Sequence, residues 1–399
     1  MAQTILSDLR AGIMDELVSD ILPFWESRMQ DPSGGFYGRI DGRGNLVDGS
    51  PKGGILNARI LWTFASAYRV LGDSACLSMA ERARDEIMFR FYDNTYGGTY
   101  WSLDADGRPS DTKKQIYSIA FAIYALSEMY RATADRRSLD LAKSLYHSIE
   151  EHSHDTVRGG YLEAFTREWG TLSDMRLSEK DQNDAKTMNT HLHVLEGYTG
   201  LYRVWQDPGL ACNLRQLVEL FLDVILCKDG HLGLFFDEGW RPTSTGVSYG
   251  HDIEASWLLC EAAEVLGDSE LISRVRDRST QIASAASEGW SASGGMIYEY
   301  DHVAGRKDYD RHWWVQAEAV VGFFNQWQIT GDPHFLEMAA ETWLFIRTHL
   351  IAPDGEWYWS FTGGEKEGPN LDDDRAGFWK CPYHNGRMCM EILARTTAP

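Results

Sequence analysis

Asp93-Asn94-Thr95-Tyr96-Gly97-Gly98-Thr99-Tyr100-Trp101 decides the fold, because five further stretches of the chain repeat its Gly-plus-aromatic character. The equivalent marks are Gly34-Gly35, Gly159-Gly160, Gly233, Gly294-Gly295 and Gly355. Measured between the first glycines at 34, 97, 159, 233, 294 and 355, the steps are 63, 62, 74, 61 and 61 residues. That period holds two helices and two loops and is too long for one short solenoid repeat. Helix-period apolar runs fill the intervals, such as Leu56-Ala58-Ile60-Leu61-Phe64-Ala65-Tyr68 and Ala255-Leu258-Leu259-Ala262-Leu266. Each Gly mark leads into a short extended piece, Thr99-Tyr100-Trp101 or Trp357-Tyr358-Trp359. Long polar segments at 104–113, 166–186, 301–310 and 363–375 follow several of these pieces, and loops of that length in a compact domain are usually functional. The reading is all-α: an (α/α)6 barrel of six helical hairpins, one domain over residues 1–399, with short strands and the long loops on one rim.

Composition narrows the partner. A formal charge of −21 without clustered Lys or Arg excludes nucleic acid and acidic membrane surfaces, and leaves a neutral small molecule. Fifteen Trp is far above ordinary usage. They serve either as core filler or as flat faces for sugar C–H surfaces, and composition does not separate the two. The first helix-like run (Ile5, Leu9, Ile13, Leu17) is broken by Asp8, Arg10, Asp15 and Glu16, so no secretory apolar core is expected, and no stretch is long enough to span a bilayer. Six cysteines without a C-x-x-C pattern read as free thiols in a reducing cytoplasm. A monomer or weak oligomer is expected.

In a ring of six equivalent helices, the unusual polar residues that open each inner helix meet at one place, with positive helix ends turned inward. His251 and Glu254 stand at i and i+3, so a carboxylate touching the imidazole is expected to raise its basicity. The alternative is a pair that only orients helices. His384 follows Pro382 at the start of the last inner helix, next in the ring to Arg59; a satisfied surface histidine is the plainer reading. Thr187-Met188-Asn189-Thr190-His191-Leu192-His193 looks like a metal-binding His-x-His, but residues i and i+2 of a helix point about 200° apart. Asn189 and His193 share a face and are read as substrate-binding, with His191 packed elsewhere. No metal or redox cofactor is expected. Arg59 is a charge in an apolar helix, suited to an oxyanion or else to a buried salt bridge. Trp314 and Glu318 share a face and read as a sugar contact; Tyr117 and Trp379 read as ring platforms.

Taken together, the blocks 55–59, 186–196, 249–259, 313–318 and 380–387 resemble the N-acylglucosamine 2-epimerase superfamily and, within it, its cellobiose 2-epimerase branch, over nearly the whole chain. A small departure is Gly197, where Ala is the more usual residue. The resemblance implies reversible inversion at C2 of a reducing-end sugar without metal. It implies His251 and His384 as the acid/base pair, Arg59 and His193 around the oxygens of C1 and C2, and Glu254 in support of His251. Tyr117, Asn189, Trp314 and Trp379 match its sugar contacts. Two rivals remain: a glycoside hydrolase using Glu254 and Glu318, and a sugar-binding protein without activity. Within the family, a mannose/glucose 2-epimerase or aldose-ketose isomerase is the alternative to a disaccharide enzyme.

Overall fold

A computed structural model describes residues 2–291, 294–363 and 367–396. Residues 364–366, within the expected rim loop 363–375, lie outside these. Thirteen α-helices are described. Six form an inner ring: α3 (Gly54–Leu71), α5 (Ile116–Thr133), α7 (Met188–Val204), α9 (Tyr249–Leu266), α11 (Trp313–Thr330) and α13 (Tyr383–Thr396). Each contacts the next, and α13 returns to α3. The outer layer is α1 (Ala2–Asp15) with α2 (Leu22–Arg28), then α4 (Ser74–Glu86), α6 (Arg136–His152), α8 (Pro208–Leu220), α10 (Ser269–Ala286) and α12 (Pro333–Phe345). The (α/α)6 barrel is as expected, with one refinement. Five pairs are hairpins, whereas the sixth is made by the two ends of the chain, α1 against α13.

The hairpins turn on Asp. Asp73, Asp135, Asp207, Asp268 and Asp332 each cap the following outer helix by accepting a backbone N–H, which satisfies donors the helix cannot. Inner helices are apolar almost all round because they are covered on both sides: in α3, residues 54–67 are buried without a break. Gly197 has a packing reason. A Cβ there would lie 2.7 Å from the Ala120 carbonyl oxygen, so glycine lets α7 approach α5 closely.

Each inner helix from α3 to α11 is entered through a short strand belonging to one of five small antiparallel sheets among the described residues. Lys52–Gly53, for example, pairs with Ser102–Leu103, Lys52 opposite Leu103. The loops 104–113 and 301–310 are largely hairpins of these sheets, through Pro109–Asp111 and Arg306–Asp308. Buried cations in the residues leading into these helices tie them to the Gly turns: Lys52 to Asp31, Lys114 to Asp93, Lys186 to Asp155 and Lys380 to Glu356, at 2.7–3.0 Å. All six cysteines are unpaired. No described helix is long and apolar enough to cross a membrane.

Candidate active site

The inner-helix N-termini surround a cavity of about 460 Å³, within the ~300–1,000 Å³ range of small-molecule sites. Arg59, Tyr117, Asn189, His193, His251, Glu254, Trp314, Trp379 and His384 line it, together with residues 175–182 and Asp184 of the long rim segment. Nine of the ten candidates therefore face one space. Helix phase explains this: Arg59, His193, Glu254 and Glu318 are each the sixth residue of their helices, so equivalent turns converge on the barrel axis.

Three imidazoles are tied back through Nδ1. His193 reaches Glu196 Oε2 at 2.8 Å, His384 reaches Glu318 Oε1 at 2.6 Å, and His251 meets the Ser248 hydroxyl at 2.8 Å. Among the described residues no hydrogen bond engages their Nε2 atoms. Burial disfavours the charged rings. It lowers His251 to about 3 and, with the charges of Arg59 and Arg387 adding to it, holds His193 and His384 well below the ordinary histidine range. All three stand neutral at pH 7, ready to accept a proton.

Two expectations need correction. Glu254 does not touch His251: its Oε1 accepts from Arg387 Nη2 at 2.7 Å, and the histidine turns to Ser248. Sharing a helical face placed the two together but did not decide which partner each takes, and a guanidinium attracts a buried carboxylate more strongly than a neutral ring does. Glu318 is not a sugar contact beside Trp314. It lies below the cavity wall, accepting from His384 Nδ1, from Trp257 Nε1 at 3.0 Å and from Arg387 Nη2 at 2.6 Å. Trp314 itself faces the cavity between His251 and His384, ring centroids 4.8 and 5.7 Å away. His191 packs elsewhere, as expected: its Nε2 accepts the Tyr161 N–H at 2.8 Å, and a Cβ on Gly160 would stand 2.6 Å from that nitrogen.

Arg59 is 3% exposed and has no carboxylate partner among the described residues. Its Nη2 donates to the Tyr117 hydroxyl at 2.8 Å and its Nη1 to the Trp379 carbonyl at 3.4 Å, while its Nε has no partner. The rings of Phe121 and Tyr383 flank the guanidinium at 4.2 and 5.0 Å. The salt-bridge alternative for Arg59 is thereby excluded.

In the sequence Arg387 stands only as part of the block 380–387, without a role of its own. It bonds Glu196, Glu254 and Glu318 together. Glu254, Glu318 and His384 are also the one trio among the described residues whose donor atoms, all within 4.8 Å, could hold a metal ion. Arg387 Nη2 donates to both carboxylates, so a guanidinium stands where a cation would sit.

Residues 35–384 match the model of the N-acylglucosamine 2-epimerase (GlcNAc 2-epimerase) family. The chain is 54% identical over 388 residues to a cellobiose 2-epimerase of Bacteroides fragilis, covering 96% of this chain and 98% of that one. It is 41% identical to a cellobiose 2-epimerase of Ruminococcus albus, with the same coverage. The solved cellobiose 2-epimerase of Bacillus thermoamylovorans superposes with a TM-score of 0.93 at 39% identity, over 98% of this chain and all of that one. With relatives this similar over nearly its full length, the chain belongs to the N-acylglucosamine 2-epimerase family.

Proposed function

We propose that this carbohydrate epimerase inverts C2 of the reducing-end glucose of β-1,4-linked disaccharides, turning cellobiose into glucosyl-mannose and lactose into epilactose. The observation that carries the reading is Arg59, a buried cation without a carboxylate, facing a cavity lined by neutral imidazoles. Such a site is prepared for negative charge that appears only during reaction.

Deprotonation at C2 requires an open-chain aldehyde. His384, whose Nδ1 is held by Glu318 so that its Nε2 is left to the sugar, assists ring opening by moving the proton between O1 and O5. One imidazole of the His251–His384 pair then takes the C2 proton. The resulting cis-enediolate is held by Arg59 and His193, with Tyr117 and Asn189 positioning the sugar and Trp314 under its ring. Rotation about C2–C3 presents the other face to the second imidazole, which takes a proton from solvent and gives it to C2, while the first releases the C2 proton to solvent, so both rings end neutral. Return to C1 instead yields a ketose, which is how an aldose-ketose isomerase would differ.

Glycoside hydrolysis is disfavoured by one observation. Its two carboxyls must flank the scissile bond about 5–9.5 Å apart, whereas Glu254 and Glu318 share the single nitrogen Nη2 of Arg387. The deciding experiment is incubation with cellobiose and with mannose in deuterated water. Deuterium at C2 of glucosyl-mannose is expected; cleavage to glucose, or no label, would refute the reading.

A further inference from the structure

The barrel interior holds more acid than base. Glu196 of α7, Glu254 of α9 and Glu318 of α11 are each 1% exposed and all bond to the one guanidinium of Arg387. Arg59 is the next cation, and counting it still leaves one carboxylate without compensation. The neighbouring charges cancel in pairs, Arg203 with Glu261 and Arg395 with Glu391, while His193, His251 and His384 stand neutral and Tyr117 is a phenol. An uncompensated carboxylate buried this deeply takes up a proton.

Hydrogen bonding decides which one. Glu196 receives three donors: Arg387 Nη1, the Tyr383 hydroxyl and His193 Nδ1. Glu318 also receives three: Arg387 Nη2, Trp257 Nε1 and His384 Nδ1. Among the described residues Glu254 receives only Arg387 Nη2, on Oε1. Donors stabilise the ionised form, so the shared proton settles where they are fewest. Glu254 is also the one of the three that lines the cavity.

We propose that Glu254 stands in the cavity as a neutral carboxylic acid and donates its O–H to a substrate oxygen. Burial and the charge of Glu318 both favour that protonated form. No bond to Glu254 is made or broken: its proton stays, and the O–H strengthens the hold on the oxygen that gains charge in the enediolate, beside Arg59 and His193. The role of the substrate oxygen rests on the epimerase reading; the location of the proton does not.

Infrared difference spectroscopy of wild type against Glu254→Gln, without substrate at pH 7, tests the proton directly. A carboxylic acid band present in wild type and missing from the variant is expected; a carboxylate difference instead overturns the proposal. Should the Gln variant not fold, Glu254→Asp gives the corresponding difference. Kinetics with cellobiose supply the second arm. Glu254→Gln keeps a neutral donor of the same shape and is expected to retain kcat within about tenfold, while Glu254→Ala loses on the order of a hundredfold. A Gln variant as inactive as the Ala variant overturns the donor role. Absence of C2 exchange in wild type with the infrared band intact would fault the epimerase reading alone.

Discussion

Two sets of buried charge in this barrel are built on opposite rules. On the rim, cations and acids are matched: Lys52 with Asp31, Lys114 with Asp93, Lys186 with Asp155, Lys380 with Glu356. Around the axis the matching fails, with Arg59 lacking an acid and three acids crowding Arg387. Matched charges pin strands to turns and hold the fold. Unmatched charges are costly in the empty protein and are retained where a reacting ligand completes the balance.

The comparison breaks first at the histidines. His251→Ala and His384→Ala are each expected to lower kcat by about 10²–10⁴ while far-ultraviolet dichroism and Tm stay near wild type. Near-normal turnover in either would remove that residue from the chemistry. The rim is tested by Lys186→Met, which leaves Asp155 only the half-exposed Arg158 at 3.9 Å and is expected to cost about 3 kcal/mol in denaturant unfolding. A loss under 1 kcal/mol would mean that the rim pairs are not structural. Arg59→Met should do the reverse, lowering kcat by about 10²–10³ with a smaller loss of stability than Lys186→Met, because it breaks a bond to the Tyr117 hydroxyl and ring contacts but no ion pair. If its Tm fell as far as that of Lys186→Met, the contrast would be lost.

A pH series sharpens the same contrast. His251 is held neutral by burial, lowered to about 3 from an ordinary value near 6.5. The unfolded chain therefore binds the extra proton between those values. The stability contributed by neutral His251 is complete above pH 6.5 and is lost as the pH falls toward 3. Relative to His251→Asn, wild type should weaken by roughly 1 kcal/mol on going from pH 7 to 5, with cavity water reducing the full value. A difference that does not change with pH would mean that the ring is charged or water-exposed. The smallest effect concerns the rim aromatic. Trp379→Ala is expected to lower kcat/KM for cellobiose by roughly tenfold and to leave mannose nearly unaffected. Equal losses on both sugars would place Trp379 under the reducing-end ring, and efficient mannose conversion with negligible action on cellobiose would sink the disaccharide preference.

The ring was legible because the Gly marks recur with the chain's own period and every inner helix repeats one apolar pattern. The site was legible because equal phase on equivalent helices brings equal positions together. Partnership was not. Spacing told that His251 and Glu254 share a face, yet Glu254 bonds Arg387 of α13, some 130 residues away, and His251 turns instead to Ser248. The same holds for Glu318, read as a neighbour of Trp314 and found under His384. Closure of the ring by α1 against α13 was likewise invisible, because a period in sequence does not say how its first and last members meet.

That closure sets a schedule for synthesis. His384 and Arg387 both lie on α13, while Arg59, which waits beside them, is made more than 300 residues earlier. Until α13 docks between α3 and α11, two cavity walls have no partner, the acids of α7, α9 and α11 have no Arg387, and the second histidine is absent. The cavity is therefore complete only after all six inner helices have been made. A chain that stops short of Tyr383 keeps most of the barrel's mass and lacks both His384 and Arg387.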